Sequence, residues 1–106
     1  MSVNALADTG CVFMSIPEHV CIQLQLSEAS RKEVTLVDGS QKLLPYVGPI
    51  EVSYKNRKAF VGAIVTGDEV LLGAIPMEDM DLIVLPQDRK VDINPRNPTF
   101  AAASAK

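Results

Sequence analysis

The sequence has 106 residues, of which 47% are hydrophobic and 22% charged, and its formal net charge is −3. This length predicts one domain with a modest core, and the negative charge without a basic cluster argues against a nucleic-acid-binding protein. No apolar run approaches membrane-spanning length, and no basic segment followed by an apolar stretch opens the sequence, so we expect a cytoplasmic protein that binds no membrane.

The first quarter of the sequence predicts two strands and a helix. Residues 2–7 alternate as in a strand, and residues 11–14 form an apolar run typical of a second, buried strand. The helix is predicted over residues 15–26, because Ser15 and Glu18 have the spacing of a capping box and apolar residues follow at helical intervals.

The middle of the sequence predicts two β-hairpins. Asp38-Gly39 between alternating polar and apolar residues is a strong hairpin signal, and Gly48-Pro49 separates the two hairpins. The predicted strands of the first hairpin are residues 33–37 and 41–47, and those of the second are residues 50–54 and 59–66.

The last third of the sequence predicts short elements and then a tail. Its predicted elements are a strand over residues 70–72, a short helix over residues 76–81, and strands over residues 82–85 and 90–93. Residues 94–106 contain Asn-Pro twice and a run of small residues without alternation, so we expect a loose C-terminal tail.

Asp8, Thr9 and Gly10 form the most informative stretch. A carboxylate at a turn can accept backbone N–H groups, a threonine hydroxyl both donates and accepts, and a glycine lets another chain approach closely. Such residues are ordinary in surface turns. Here, however, apolar residues flank them on both sides, and a distant apolar run ends in Gly73.

Taken in order, Asp8-Thr9-Gly10, the hairpin tip at residues 38–41 and the apolar run before Gly73 resemble the retropepsin-like aspartic proteases of clan AA. The sequence is most similar to their bacterial, stand-alone branch. The resemblance implies a mostly β, retropepsin-like acid-protease half-barrel with a flap hairpin and one or two short helices. It places this domain at residues 1–93 and the tail at residues 94–106. Seven residues precede Asp8, so the predicted domain has short or missing N-terminal strands.

The resemblance also assigns site residues. The catalytic residues that it implies are Asp8, Thr9 and Gly10. The substrate-binding residues that it implies are Leu36, Val37, Asp38, Gly39, Ser40 and Leu44. Structural support of the site is expected from Leu71, Leu72 and Gly73. Cys11 stands where the family usually carries alanine or serine, and Ala74 stands where many relatives have a charged or polar residue.

The predicted function is aspartic-type endopeptidase activity without a metal or cofactor. Such hydrolysis needs two carboxylates that share a proton, because like charges this close cannot both ionise. One chain supplies one Asp8, so the predicted partners are a second copy of the chain, in a homodimer, and a peptide or protein substrate. The alternative is a catalytically silent dimerisation or peptide-binding module on the same fold.

Other chemistries have weaker support in the sequence. The spacing of Cys11, His19 and Cys21 matches no zinc pattern, and no residue is placed to orient a cysteine–histidine dyad. We interpret both cysteines as small reduced thiols. The remaining acids in polar surroundings are interpreted as solvated: Asp38, Asp68, Glu69, Glu78, Asp79 and Asp81.

Overall fold

The computed structural model describes residues 1–8, 10–36, 38–85, 87 and 90–102. These residues form eight strands and two short helices, so the predicted mostly β fold is confirmed. The elements are β1 (Ala5–Ala7), β2 (Met14–Ile16), α1 (Glu18–Gln23), β3 (Glu28–Thr35), β4 (Gln41–Tyr54), β5 (Arg57–Val65), β6 (Val70–Leu72), α2 (Ala74–Asp79), β7 (Leu82–Leu85) and β8 (Lys90–Ile93). In the part of the chain described here, neither helix is long or apolar enough to cross a membrane.

The main sheet has the strand order β1-β6-β2-β5-β4-β3, and β7 and β8 pair separately. Strand β6 lies between β1 and β2. It runs parallel to β1, with Ala7 opposite Leu72, and antiparallel to β2, with Leu71 opposite Ser15. The carboxyl ends of β1 and β6 therefore lie side by side, and Asp8 is placed beside the end of β6.

One hydrophobic core joins the sheet to both helices. Ile16 of β2 and Ala63 of β5 are almost completely buried, as is Met80 after α2, while α1 contributes Val20 and α2 contributes Met77. Burial of apolar surface is the dominant favourable term in folding. Because β1, β2 and β6 all contribute side chains to this core, the strands around Asp8 have fixed positions.

The structure corrects the predictions for residues 11–26. The second strand is Met14–Ile16, so the predicted strand over residues 11–14 is wrong in position. The predicted capping box is also wrong, because the helix begins at Glu18 after Pro17 and ends at Gln23. Ser15 is buried in β2 opposite Leu71. Pairing with a strand more than fifty residues away along the chain thus outweighs the local helix signal.

The hairpins also differ from their predicted bounds. Strand β3 begins at Glu28, where the sequence is polar, because its side chains lie at the exposed edge of the sheet. Strand β4 continues through Gly48-Pro49, so the predicted break there is wrong. The pairing with β5 shifts register between Val47 and Ile50. A bulge of this kind accommodates glycine and proline within a continuous strand.

The elements of the C-terminal third agree more closely with those predicted from the sequence. Strands β6, β7 and β8 have their predicted bounds, and helix α2 begins at Ala74, two residues earlier than predicted. The described part of the tail, residues 94–102, contains no helix or strand. The Asp81 carboxylate nevertheless accepts hydrogen bonds from the Ala102 N–H and from the side-chain amides of Asn94 and Asn97. These bonds attach residues 94–102 to the body of the domain.

Candidate active site

Asp8 follows the last residue of β1 and is half-buried. Its N–H donates to the Leu72 carbonyl at 3.0 Å. The carboxylate accepts the Gly10 N–H at 3.0 Å on Oδ1 and the Cys11 thiol at 3.4 Å on Oδ2. Because each oxygen has its own donor and the backbone is tied to β6, the orientation of this carboxylate is fixed while part of it faces solvent.

The segment after β6 supports the loop that follows Asp8. The N–H of Ala74 donates to the Cys11 carbonyl at 2.8 Å, and that of Ile75 donates to the Val12 carbonyl at 2.9 Å. These two N–H groups belong to the first turn of α2, where an N–H has no partner within the helix. The loop carbonyls supply the missing acceptors, so the helix start and the Asp8 loop fix each other.

Gly73 allows this close approach. A β-carbon at Gly73 would lie 2.2 Å from the Phe13 carbonyl oxygen and 2.8 Å from that of Val12. Since both atoms belong to the backbone, only glycine fits without a shift of the loop. Of the residues expected to support the site, Leu72 and Gly73 thus contact the Asp8 loop directly, while Leu71 pairs with β2.

The expected catalytic turn also includes Gly10 and Thr9. Gly10 is exposed, and a β-carbon there would lie 3.2 Å from Asp8 Oδ1, closer than most such contacts. A larger residue would therefore press on the carboxylate. Thr9 lies outside the described residues, as does Val37 among the expected substrate-binding residues.

The tip of the β3–β4 hairpin forms a self-contained turn. The Asp38 carboxylate accepts hydrogen bonds from the Ser40 hydroxyl at 2.6 Å and from the Ser40 N–H at 2.9 Å. Both bonds lower the pKa of Asp38, and the bond from the hydroxyl has the larger effect. Leu36 exchanges backbone hydrogen bonds with the same turn, and Gly39 has a left-handed φ of 87°. Among the described residues, no hydrogen bond joins this tip to Asp8.

Leu44 lies further along the hairpin, in β4, and is buried, whereas Leu36 lies at the exposed tip. Leu44 is opposite Lys32 of β3. The expected substrate-binding residues that the structure describes therefore fall into an exposed tip, residues 36 and 38–40, and one buried side chain nearer the sheet.

The sequence alone does not predict two features of the site. Cys11 donates to the carboxylate, although we interpreted it only as a small packing residue. Lys32 lies over the rings of Phe13 and Tyr46. The only sequence signal for the Cys11–Asp8 hydrogen bond is that Cys11 follows Asp8 by three residues. The position of Lys32 depends on contacts between segments that are distant along the chain.

The environment of Cys11 favours the protonated thiol. Burial raises the pKa of Cys11 most, followed by its hydrogen bond to Asp8 and by the negative charge of that carboxylate. Thiolate is the form that reacts with alkylating reagents. The Cys11 thiol therefore keeps its proton at neutral pH, donates a hydrogen bond to Asp8, and should react slowly with such reagents.

We expect Asp8→Asn to make Cys11 easier to alkylate. In a Cys21→Ser background, where Cys11 is the remaining cysteine, the pH midpoint of the iodoacetamide rate should move to lower pH, because the negative charge beside the thiol is gone. Burial remains, so the midpoint should stay above that of an unperturbed cysteine. Asp68→Asn, at an exposed acid in another loop, is the control. An unchanged midpoint in Asp8→Asn would contradict the contact.

The described residues contain no group of three or more histidine, cysteine, aspartate or glutamate side chains arranged to hold a metal ion. Comparison of the chain with protein-family models, curated proteins and solved structures finds no match in any of the three. The functional interpretation therefore rests on the residues themselves and on their geometry.

Proposed function

We propose that the chain is an aspartic endopeptidase that acts as a homodimer. The observation that carries this proposal is the state of Asp8: a partly exposed carboxylate, oriented by the Gly10 N–H and the Cys11 thiol, at the end of a core strand. A carboxylate that must hold and activate a water molecule needs this combination of fixed orientation and access.

The proposed fold is the retropepsin-like half-barrel. Three features support it: β6 lies between the two strands that flank the Asp8 loop, Gly73 packs against that loop, and a long hairpin extends from β3 and β4. In this proposal the hairpin is the flap. An extended peptide held beneath it would make backbone hydrogen bonds like an added strand.

The proposed mechanism uses Asp8 of both subunits on the two-fold axis. One carboxylate is ionised and the other protonated, because the two charges repel when they are close. The ionised group takes a proton from water, whose oxygen attacks the peptide carbonyl carbon while the protonated group donates to the carbonyl oxygen. The group that took the water proton then donates it to the nitrogen, the other carboxylate takes a proton from a hydroxyl of the tetrahedral intermediate, and the C–N bond breaks to release an amine and a carboxylic acid.

Because the proposed active site forms only in the homodimer, its activity should depend on protein concentration. We expect specific activity to fall on dilution in parallel with the dimer fraction, because a monomer holds one carboxylate of the pair. Mass photometry and a fluorogenic peptide assay on the same dilution series would measure both quantities. A protein that is strictly monomeric at micromolar concentration, or that keeps its specific activity as a monomer, would contradict the mechanism. A dimer inert towards varied peptides would favour the silent-module alternative.

A further inference from the structure

The inner face of the β3–β4 hairpin carries a half-buried lysine. The strand register places Lys32 opposite Leu44 and Ser30 opposite Tyr46, so Lys32 and Tyr46 are diagonal neighbours on one face of the hairpin. Burial follows the same alternation: Lys32 and Tyr46 are half-buried, and Arg31, one residue away, is exposed. Successive side chains of a strand point to opposite faces, so Lys32 points inward and Arg31 outward.

Lys32 connects the hairpin to the loop that carries Asp8. Its Nζ lies 4.6 Å from the centroid of the Tyr46 ring and 5.1 Å from that of Phe13. The two rings meet edge to face, with centroids 6.0 Å apart. Phe13 belongs to the loop between β1 and β2, in which the Asp8 carboxylate and its donors lie. The ammonium is therefore held at the junction of the proposed flap and the proposed catalytic loop.

The aromatic side of this cluster has a fixed position. A β-carbon at Gly62 would lie 2.2 Å from the Tyr46 ring, so the ring packs directly on the backbone of β5. The backbone of Phe13 packs against Gly73, and its ring meets the Tyr46 ring edge to face. Lys32 thus has two positioned rings to lie on, which limits the positions that its ammonium group can take.

Lys32 has a charge that no carboxylate of the described chain neutralises. The ion pairs among the described residues are Arg31–Glu28, Lys55–Asp92 and Lys58–Glu51. Aromatic rings attract a cation but supply no oxygen acceptor for its three N–H donors, which water can reach because Lys32 is only half-buried. A carboxylate brought to this junction by a ligand would gain both a charge partner and hydrogen bonds.

We propose that Lys32 is a specificity-determining residue that selects peptides with an acidic side chain at one fixed distance from the scissile bond. The inference rests on the proposed function, because it places the peptide between the hairpin and the Asp8 loop. The net charge of the chain is −3, which disfavours acidic peptides in general. A preference for glutamate at one position only therefore has a local origin.

The test measures charge preference with peptides that differ only in glutamate, glutamine or lysine at one position at a time. Wild type should cleave the glutamate peptide fastest at one position, and Lys32→Glu should reverse the order there, with about tenfold changes in the glutamate-to-lysine ratio. Lys32→Gln should remove the preference without reversing it. Arg31→Glu, on the outward face, changes the net charge equally and should keep the wild-type order. Thermal melting checks that each variant folds.

A parallel binding assay separates this inference from the proposed catalysis. The same peptides are titrated onto Asp8→Asn, with and without Lys32→Glu, by fluorescence polarisation. Acid-selective binding that depends on Lys32, without cleavage by wild type, would support the inference and overturn the protease proposal. Cleavage without a charge preference, or with one that Lys32→Glu leaves unchanged, would overturn the inference alone. Neither cleavage nor Lys32-dependent binding would overturn both.

Discussion

Asp8→Asn should lower the rate of peptide cleavage by about 10²-fold to 10⁴-fold or more while the dimer stays folded. An amide cannot accept the proton of the attacking water, so the proposed dimer loses its base. Asparagine has nearly the same shape and keeps an oxygen that can accept the Gly10 N–H, which now binds Asp8 Oδ1 at 3.0 Å. The turn and the dimer should therefore survive. Initial rates on a fluorogenic peptide, with mass photometry on the same samples, measure both effects.

The matched control is Asp68→Asn, because Asp68 is an exposed acid outside the Asp8 loop and the substitution removes the same charge. It should keep the wild-type rate. If Asp8→Asn cleaves as fast as wild type, Asp8 is not the base.

The wild-type rate should also fall at both ends of the pH range, since only the singly protonated pair contains an acid and a base together.

Gly73→Ala should destabilise the fold by about 3 kcal/mol, the upper part of the range for an overpacked site. The new β-carbon would lie 2.2 Å from the Phe13 carbonyl oxygen. That backbone cannot move away freely, because the N–H groups of Ala74 and Ile75, directly after Gly73, donate to the carbonyls of Cys11 and Val12, directly before Phe13. Urea unfolding, followed by circular dichroism, would measure the loss of free energy of unfolding.

Gly67→Ala provides the comparison. Gly67 has a left-handed φ of 74°, and nothing lies within 4 Å of an added β-carbon, so this variant measures backbone strain without a clash and should cost about 1 kcal/mol. Gly73→Ala as stable as wild type would show that the loop is not held as tightly as these contacts indicate. Because this loop also carries the Asp8 donors, Gly73→Ala should reduce cleavage as well.

Elements were predictable where their signals are local. Val70–Leu72 is an apolar run that ends at a glycine, and its predicted bounds match β6. Ser15 shows the opposite case: its spacing from Glu18 is a local helix signal, but its pairing with Leu71 depends on a strand far along the chain. Gly48-Pro49 is likewise a local signal for the end of a strand. In the structure, β4 continues because it pairs with β5 both before and after these two residues.

The same distinction applies to the candidate site. The resemblance to retropepsin-like proteases implies that Asp8 and the run before Gly73 lie together, and the Asp8 N–H does donate to the Leu72 carbonyl. The Cys11 thiol and the Lys32 cluster were not predictable in this way. Cysteine packs like any small residue, and whether it donates depends on the loop conformation. The position of Lys32 over two rings depends on how the hairpin packs on the Asp8 loop, which strand alternation alone does not specify.

In the proposed mechanism each active site contains Asp8 from two chains, and subunit mixing tests this most directly. Wild type and Asp8→Asn are mixed at constant total concentration, allowed to exchange subunits, and assayed for cleavage. Random pairing predicts that activity follows the square of the wild-type fraction, so an equal mixture keeps about one quarter of the activity of pure wild type. Activity in direct proportion to the wild-type fraction would show that one chain suffices and would contradict the shared site.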